Sequence, residues 1–351
     1  MDRFELRRLD YGLSEDHIDL QAAYRQFFKT HCSIETVWAA QDSGFDKSLW
    51  ERLCATGATT MALSEASGGD GATLVDLTLL AEEVGNSIAP LPWIDHVCAT
   101  RLLDRLGVLD DAAAVSGERI VGIDPRLVSP SGRRLIPSGA VADLVVLRDG
   151  DDIVLVSSDD KPTKVDNIGR LPMAWIDPRA ADHRVVVASG PEALASHQRA
   201  LDEWRLLTAS ALVGLVDATL KLAAEFAKSR YTLGVPISTL QGISHPLANI
   251  AIVVAGGRNL ARRAAWYLDN EPDERPELAP SAFVYMAEEA SRAATMAVHV
   301  QGGLGVSAEA ASSAYLVRAR GWPLAGGDPG ATAKYVADIV IARESRSGKG
   351  E

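Results

Sequence analysis

The chain has 351 residues, 47% of them apolar, and a formal net charge of −12. That length allows two or three domains around a sizeable core, and the acidic balance argues against nucleic acid or an anionic membrane as the main partner. The opening "MDRFELRRLDYGLSED" lacks the apolar centre of a signal peptide, and no uninterrupted apolar run reaches membrane-spanning length, so a cytoplasmic protein with no membrane insertion is expected.

In chain order, residues 1–116 read as a helical domain. Ser14 followed by Glu15 and Asp16 is a good helix start, with acids where the helix dipole favours them. "KSLWERLCATGA" is a second helix ending at a glycine, and "DLTLLAEEVGNSI" puts Leu77, Leu80 and Val84 on one face. Pro90 and Pro92 then break the chain before another short helix. Cys32, Cys54 and Cys98 have no metal-ligand spacing, and no histidine pair stands at helix-ligand spacing, so no metal site is expected.

Between residues 117 and 195 helical periodicity disappears. "VADLVVLRD" and "DDIVLVSS" are β-rich runs around "DGDD", a hairpin turn in a small β domain. Helix returns over 196–345. Trp204, Leu207, Ala211, Leu215, Ala218, Leu222 and Phe226 form one long apolar stripe. "HPLANIAIVVAGGRNLARRAAWYLDN" and residues 280–301 are two further long helices. Shorter ones follow the glycine cluster "QGGLG" and fill about 330–344, giving an antiparallel four-helix-type bundle. Residues 346–351 read as a solvated tail. The fold class is mainly α with a small β domain: helices, strands, then a bundle.

That order, with motifs at set places, resembles the acyl-CoA dehydrogenase family over nearly the whole chain. "LSEASGGDGATLVDLTLLAEEVGNSIAPLPW" is similar to the family's Pro-Glu-x-x-Gly-Gly-x-Gly loop and its Glu-Glu-x-Gly helix. "SRYTLGVPISTLQGISHPLANI" matches the Arg-x-x-Phe-Gly-x-x-Ile…Gln…His-x-Leu-Ala-Asp segment at Arg230, Gly234, Ile237, Gln241, His245, Leu247 and Ala248, with Leu233 for the phenylalanine and Asn249 for the aspartate. "HVQGGLG" is similar to Gln-x-x-Gly-Gly-x-Gly, with His299 where glutamine is usual. The resemblance implies that Arg230, Gln241, His299, Gln301, Gly302 and Gly303 lie against the FAD of a neighbouring subunit. Glycines admit close backbone approach, and an arginine complements pyrophosphate charge. Read without the family, Arg230 is a helix-end cation, Gln241 a helix start and the glycine pair a helix C-cap.

The family reaction removes an α-proton from an acyl-CoA thioester while FAD takes a β-hydride, with electron-transfer flavoprotein as acceptor. The resemblance implies two places for the carboxylate base. Counting from Gly302 puts Gly326 at the first, with Asp328 two residues on. Counting back from Arg230 puts Trp204 at the second, with Glu203 beside it. One helical residue rotates a side chain by about 100°, so Glu203 reads either as a displaced base or as a solvated glutamate in "DEWR". The stretch "GERIVGIDPRLVSPSGRRLIPSGAVADLVV" carries neither of the family's ring-cradling motifs, and the β domain is shortened. Three readings follow. The first is a subunit without its own base, sharing a flavin site with a homologous subunit, as in the heteromeric branch of actinobacterial steroid catabolism. The second is a self-sufficient enzyme using Glu203 or Asp328, and the third a flavin-free scaffold.

Overall fold

Ser14 caps the first described helix through a reciprocal pair: its hydroxyl accepts from the His17 N–H, and the His17 ring accepts from the Ser14 N–H. In the computed structural model, which describes residues 12–126 and 132–347, that helix is α1, Glu15–His31. It is followed by α2 (Ile34–Ala39), α3 (Lys47–Cys54), α4 (Leu74–Asn86), α5 (Trp93–Arg105) and α6 (Ala112–Ser116). Thr73 and Asp76 form a second capping box at the start of α4.

The strands are β1 (Val121–Ile123), β2 (Arg134–Ile136), β3 (Leu144–Asp149), β4 (Asp152–Ser157), β5 (Ala174–Ile176) and β6 (His183–Ser189). One sheet has the order β1-β3-β4-β6, with β1 parallel to β3 and the other pairs antiparallel; β2 and β5 pair separately. Asp149 pairs with Asp152 across a two-residue turn, in which Gly150 takes a φ of 68°.

Pro191 starts α7, which runs 39 residues to Ser229. A short hairpin (β7, Tyr231–Thr232; β8, Val235–Pro236) leads to α8 (Gln241–Asn270) and then α9 (Leu278–Gln301). A 3-10 turn over Gly302–Val306, α10 (Ala311–Gly321), a second 3-10 turn over Trp322–Gly326, and α11 (Pro329–Ser347) complete the chain. The helical reading thus extends two residues into the stretch expected as tail; residues 348–351 lie outside the described residues.

The apolar stripe expected on α7 is only part of its buried surface. Every residue from Ala200 to Val216 is buried, whereas Leu222, on the expected stripe, is exposed. A helix buried all round belongs in the centre of a protein, and α4, α5, α8 and α9 surround this one. Although α7 is the one described helix long and apolar enough to cross a membrane, it is the core helix here.

Close backbone approach fixes how the layers meet. A Cβ on Gly85 would stand 1.7 Å from the Ala211 carbonyl oxygen, and one on Gly214 would stand 1.8 Å from that of Glu82. The glycine of "EEVG" therefore lets α4 cross α7 main chain to main chain. The two glutamates are buried beside that crossing and pair outward, Glu83 with Arg25 at 2.7 Å and Glu82 with Arg258. At the other boundary, a Cβ on Gly169 would meet the Gly321 carbonyl carbon at 3.0 Å, so the loop before β5 sits directly on the end of α10.

Candidate functional site

Three helices place the family-matched residues. Gly257 of α8 faces both Met286 of α9 and Val213 of α7, since a Cβ there would lie 2.3 Å from the Met286 sulfur and 2.9 Å from a Val213 methyl. From that shared layer, Arg230, Gln241 and Gln301 lie 17, 16 and 15 residues along antiparallel neighbours. At about 1.5 Å per residue, all three are about 22–26 Å away at the same end of the bundle. Segments far apart in sequence therefore converge at one end.

Three of the side chains there look outward and one, Gln301, is partly buried. Arg230, the C-cap residue of α7, is exposed, and its guanidinium makes no hydrogen bond or ion pair with the described residues; only its main chain is engaged, accepting from the Ile237 N–H. Gln241 is the first residue of α8, and both it and His299 are exposed. The Nε2 of Gln301 is buried with no partner. Gly302 ends α9 with a φ of 62°, the left-handed region that favours glycine. Gly303 has no such backbone demand, and a Cβ on it would meet nothing within 4 Å. Its chain therefore gives no reason for a bare backbone there, whereas Gly305, buried against the Val298 carbonyl, is needed for packing.

The hairpin beside this end is unusual. Leu233 is 94% exposed and holds a φ of 50°, followed by Gly234 at 82°. Such a turn suits Asn-Gly, and a leucine in this conformation is strained.

The Trp204 end of α7 is different. Trp204 and Gly326, the two positions found by counting, touch: a Cβ on Gly326 would lie 2.7 Å from Cζ3 of the indole. The opposite edge of the ring is anchored, since its Nε1 donates to Asp95 Oδ1 at 2.8 Å. Asp95, from "PWIDHVC", is buried, and burial outweighs the hydrogen bond from Trp204 to raise its carboxyl to about 6. The remaining space is a cleft of about 60 Å³, walled by Val84, Leu91, Leu171, Trp322 and Ala325 with Asp95 and Thr208. An acid set among the large apolar residues Trp93, Ile94 and Val97 was the available sequence signal for Asp95.

Neither acid considered as a base is free. Glu203 is fully buried, which corrects the reading of a solvated residue. It accepts from Arg101 at 3.1 Å, Arg105 at 2.5 Å and Arg199 at 3.2 Å. Burial alone would raise its pKa, but the three guanidinium groups overcome burial and hold it at about 2. A carboxylate so saturated is a poor proton acceptor. Asp328 is exposed and caps α11, its Oδ1 accepting from the Gly330 N–H at 2.9 Å.

Comparisons with known proteins agree with this architecture. Residues 14–108 match the acyl-CoA dehydrogenase N-terminal domain model and residues 194–340 the acyl-CoA dehydrogenase C-terminal domain model. The chain is 27% identical over 320 residues to the acyl-CoA dehydrogenase IpdE2 of Mycolicibacterium smegmatis, covering 88% of this chain and 94% of the relative. It is also 27% identical over 283 residues to IpdE2 of Mycobacterium tuberculosis, covering 80% and 83%. Among solved structures, the ChsE4-ChsE5 complex from Mycobacterium tuberculosis superposes with a TM-score of 0.82 at 24% identity, covering 95% of this chain and 99% of that one. A Tcur3481-Tcur3483 steroid ACAD variant gives 0.83 at 24% identity, covering 94% and 99%.

Proposed function

The chain belongs to the acyl-CoA dehydrogenase family, oxidoreductases acting on CH–CH donors, and from that premise we propose that it is the base-less subunit of a heteromeric enzyme. It completes the FAD site of a homologous subunit that carries the carboxylate. The substrate class is a bulky acyl-CoA such as a sterol side-chain thioester, and electron-transfer flavoprotein is the acceptor. Support for the steroid class comes from the Tcur3481-Tcur3483 steroid ACAD, and support for an unlike partner from the two-component name of ChsE4-ChsE5.

One observation carries the reading: the indole of Trp204 fills the space in front of Gly326. A base at either position has to stand over the substrate α-carbon in a water-excluded cavity. Here one position has no side chain, and the other presents an aromatic ring whose polar atom is turned away to Asp95. The cleft left over, about 60 Å³, is too small for a flavin ring and a thioester together.

The other end fits a dinucleotide. FAD, when bound, accepts the β-hydride of the acyl chain. This chain's residues would hold its diphosphate part: the unpaired Arg230 guanidinium as counter-charge, the orphaned Gln301 amide as donor, and the bare Gly302–Gly303 backbone as the surface of approach. Trp204 and Arg230 are 26 residues apart on one helix, about 39 Å, longer than one flavin reaches. Arg230 therefore serves a flavin whose ring lies in another subunit. The open nucleotide end argues against a flavin-free scaffold, and the engaged states of Glu203 and Asp328 argue against a self-sufficient enzyme.

The test is flavin content. The chain purified alone is expected to be colourless, and co-purified with its homologous partner it should carry one flavin per pair of unlike chains. Stoichiometric flavin on the isolated chain would overturn the reading.

A further inference from the structure

The cleft beside Trp204 has a chemistry that the subunit role leaves unused. Its walls are apolar apart from two groups. The Asp95 carboxylate gives Oδ1 to the Trp204 N–H, and a carboxylate has about four acceptor sites, so accepting capacity remains. The Thr208 hydroxyl is the second group. It stands one turn beyond Trp204 on the same face of α7. Elsewhere on this helix the buried hydroxyls bond back to the main chain, Ser210 to the Leu206 carbonyl at 3.0 Å and Thr219 to that of Val216 at 2.8 Å. Thr208, equally buried, makes no hydrogen bond with the described residues. An acceptor with capacity to spare and an unpartnered hydroxyl thus share an apolar cleft that holds about four or five heavy atoms.

The geometry points to a ligand site here for a small, uncharged, mostly apolar molecule bearing one hydroxyl, which donates to Asp95 and accepts from Thr208. A carboxylate ligand is disfavoured by Asp95, and a purely apolar one leaves Thr208 unpartnered. The cleft of the base-less subunit is thereby a binding site, with Trp204 as its wall and reporter. This goes beyond the subunit reading and does not depend on flavin, so the two fail separately.

The test uses the full-length chain, alone and in complex with its partner, with 1-butanol as the probe and diethyl ether as a control of equal heavy-atom count that accepts but cannot donate. The readout is the indole N–H resonance of Trp204, assigned by its loss in Trp204→Phe. Butanol is expected to shift it saturably, and ether to bind at least about tenfold more weakly. Thr208→Val preserves shape, and Asp95→Asn preserves an acceptor for the indole; each should weaken butanol about five- to tenfold. No saturable shift with butanol, equal binding of ether, or unchanged affinity in both variants would each overturn the site. The ether comparison needs no variant, so it stands even if Asp95→Asn fails to fold.

Discussion

At the Arg230 end of α7 the polar groups that matter find no side-chain partner among the described residues, whereas at the Trp204 end the groups that catalysis would need are already engaged. Arg230 has no counter-charge, Gln301 has an orphaned donor and Gly303 faces open space. Glu203 is held by three arginines, Asp328 caps a helix and Trp204 covers Gly326. Unsatisfied polar groups on an ordered scaffold mark a surface that something outside the chain completes; satisfied ones mark structure. The same family motifs thus have different standing at the two ends.

The comparison breaks first at Glu203. If that carboxylate is structural, Glu203→Gln leaves three arginines without their shared anion and should destabilise the chain by about 3–5 kcal/mol, read by chemical denaturation. Asp328→Asn keeps a good cap and should change stability by less than about 0.5 kcal/mol. The pH dependence has a definite sign. Because its folded pKa is depressed, Glu203 contributes stability above the ordinary carboxylate value of 4.5 that is lost as pH falls towards about 2. His96 and His197, buried neutral with burial lowering each to about 4, remove stability earlier, as pH falls below 6.5. Asp95, raised to about 6, acts in the opposite direction between 6 and 3.8. Glu203→Gln should flatten only the most acidic limb; a variant that keeps wild-type stability and loses α-proton exchange would make Glu203 a base after all.

A smaller effect sharpens the other end. Arg230→Ala should weaken flavin retention in the assembled complex by about 1.5–3 kcal/mol, the value of a charge-assisted contact. Because the Arg230 guanidinium has no partner among the described residues, the melting temperature of the free chain should stay within about a degree. Equal flavin content in variant and wild type would return Arg230 to the role of a helix-end cation.

A gain in stability is expected at Leu233. Asparagine suits its left-handed conformation, so Leu233→Asn should stabilise the free chain by about 1 kcal/mol. The same change should weaken assembly, because a strained and almost fully exposed leucine is best accounted for by a contact outside the chain. Stabilisation of both free chain and complex would show the leucine to be incidental.

Local features were legible from the residues alone. The Ser14 cap and the turn at Gly150 and Asp151 depend on neighbours a few positions away, and the structure has both. What could not be read was contact between distant segments. Glu203 looks the same in sequence whether solvated or sealed, because two of its partners, Arg101 and Arg105, come from another helix. Counting placed Trp204 and Gly326 at the two base positions, but periodicity cannot say that one touches the other. The stripe on α7 understated its burial because a period of 3.6 reports one face, and only the surrounding helices decide how many faces are covered.

Gly169 and Gly321 meet main chain to main chain, and the loop so clamped continues into Leu171 and Pro172, two walls of the cleft. A joint without side chains has no rotamer to change and offers no slip plane between the strands and the bundle. Two walls of the cleft are thereby held against the bundle through main-chain contact, so its width is set by backbone geometry rather than by the packing of flexible side chains.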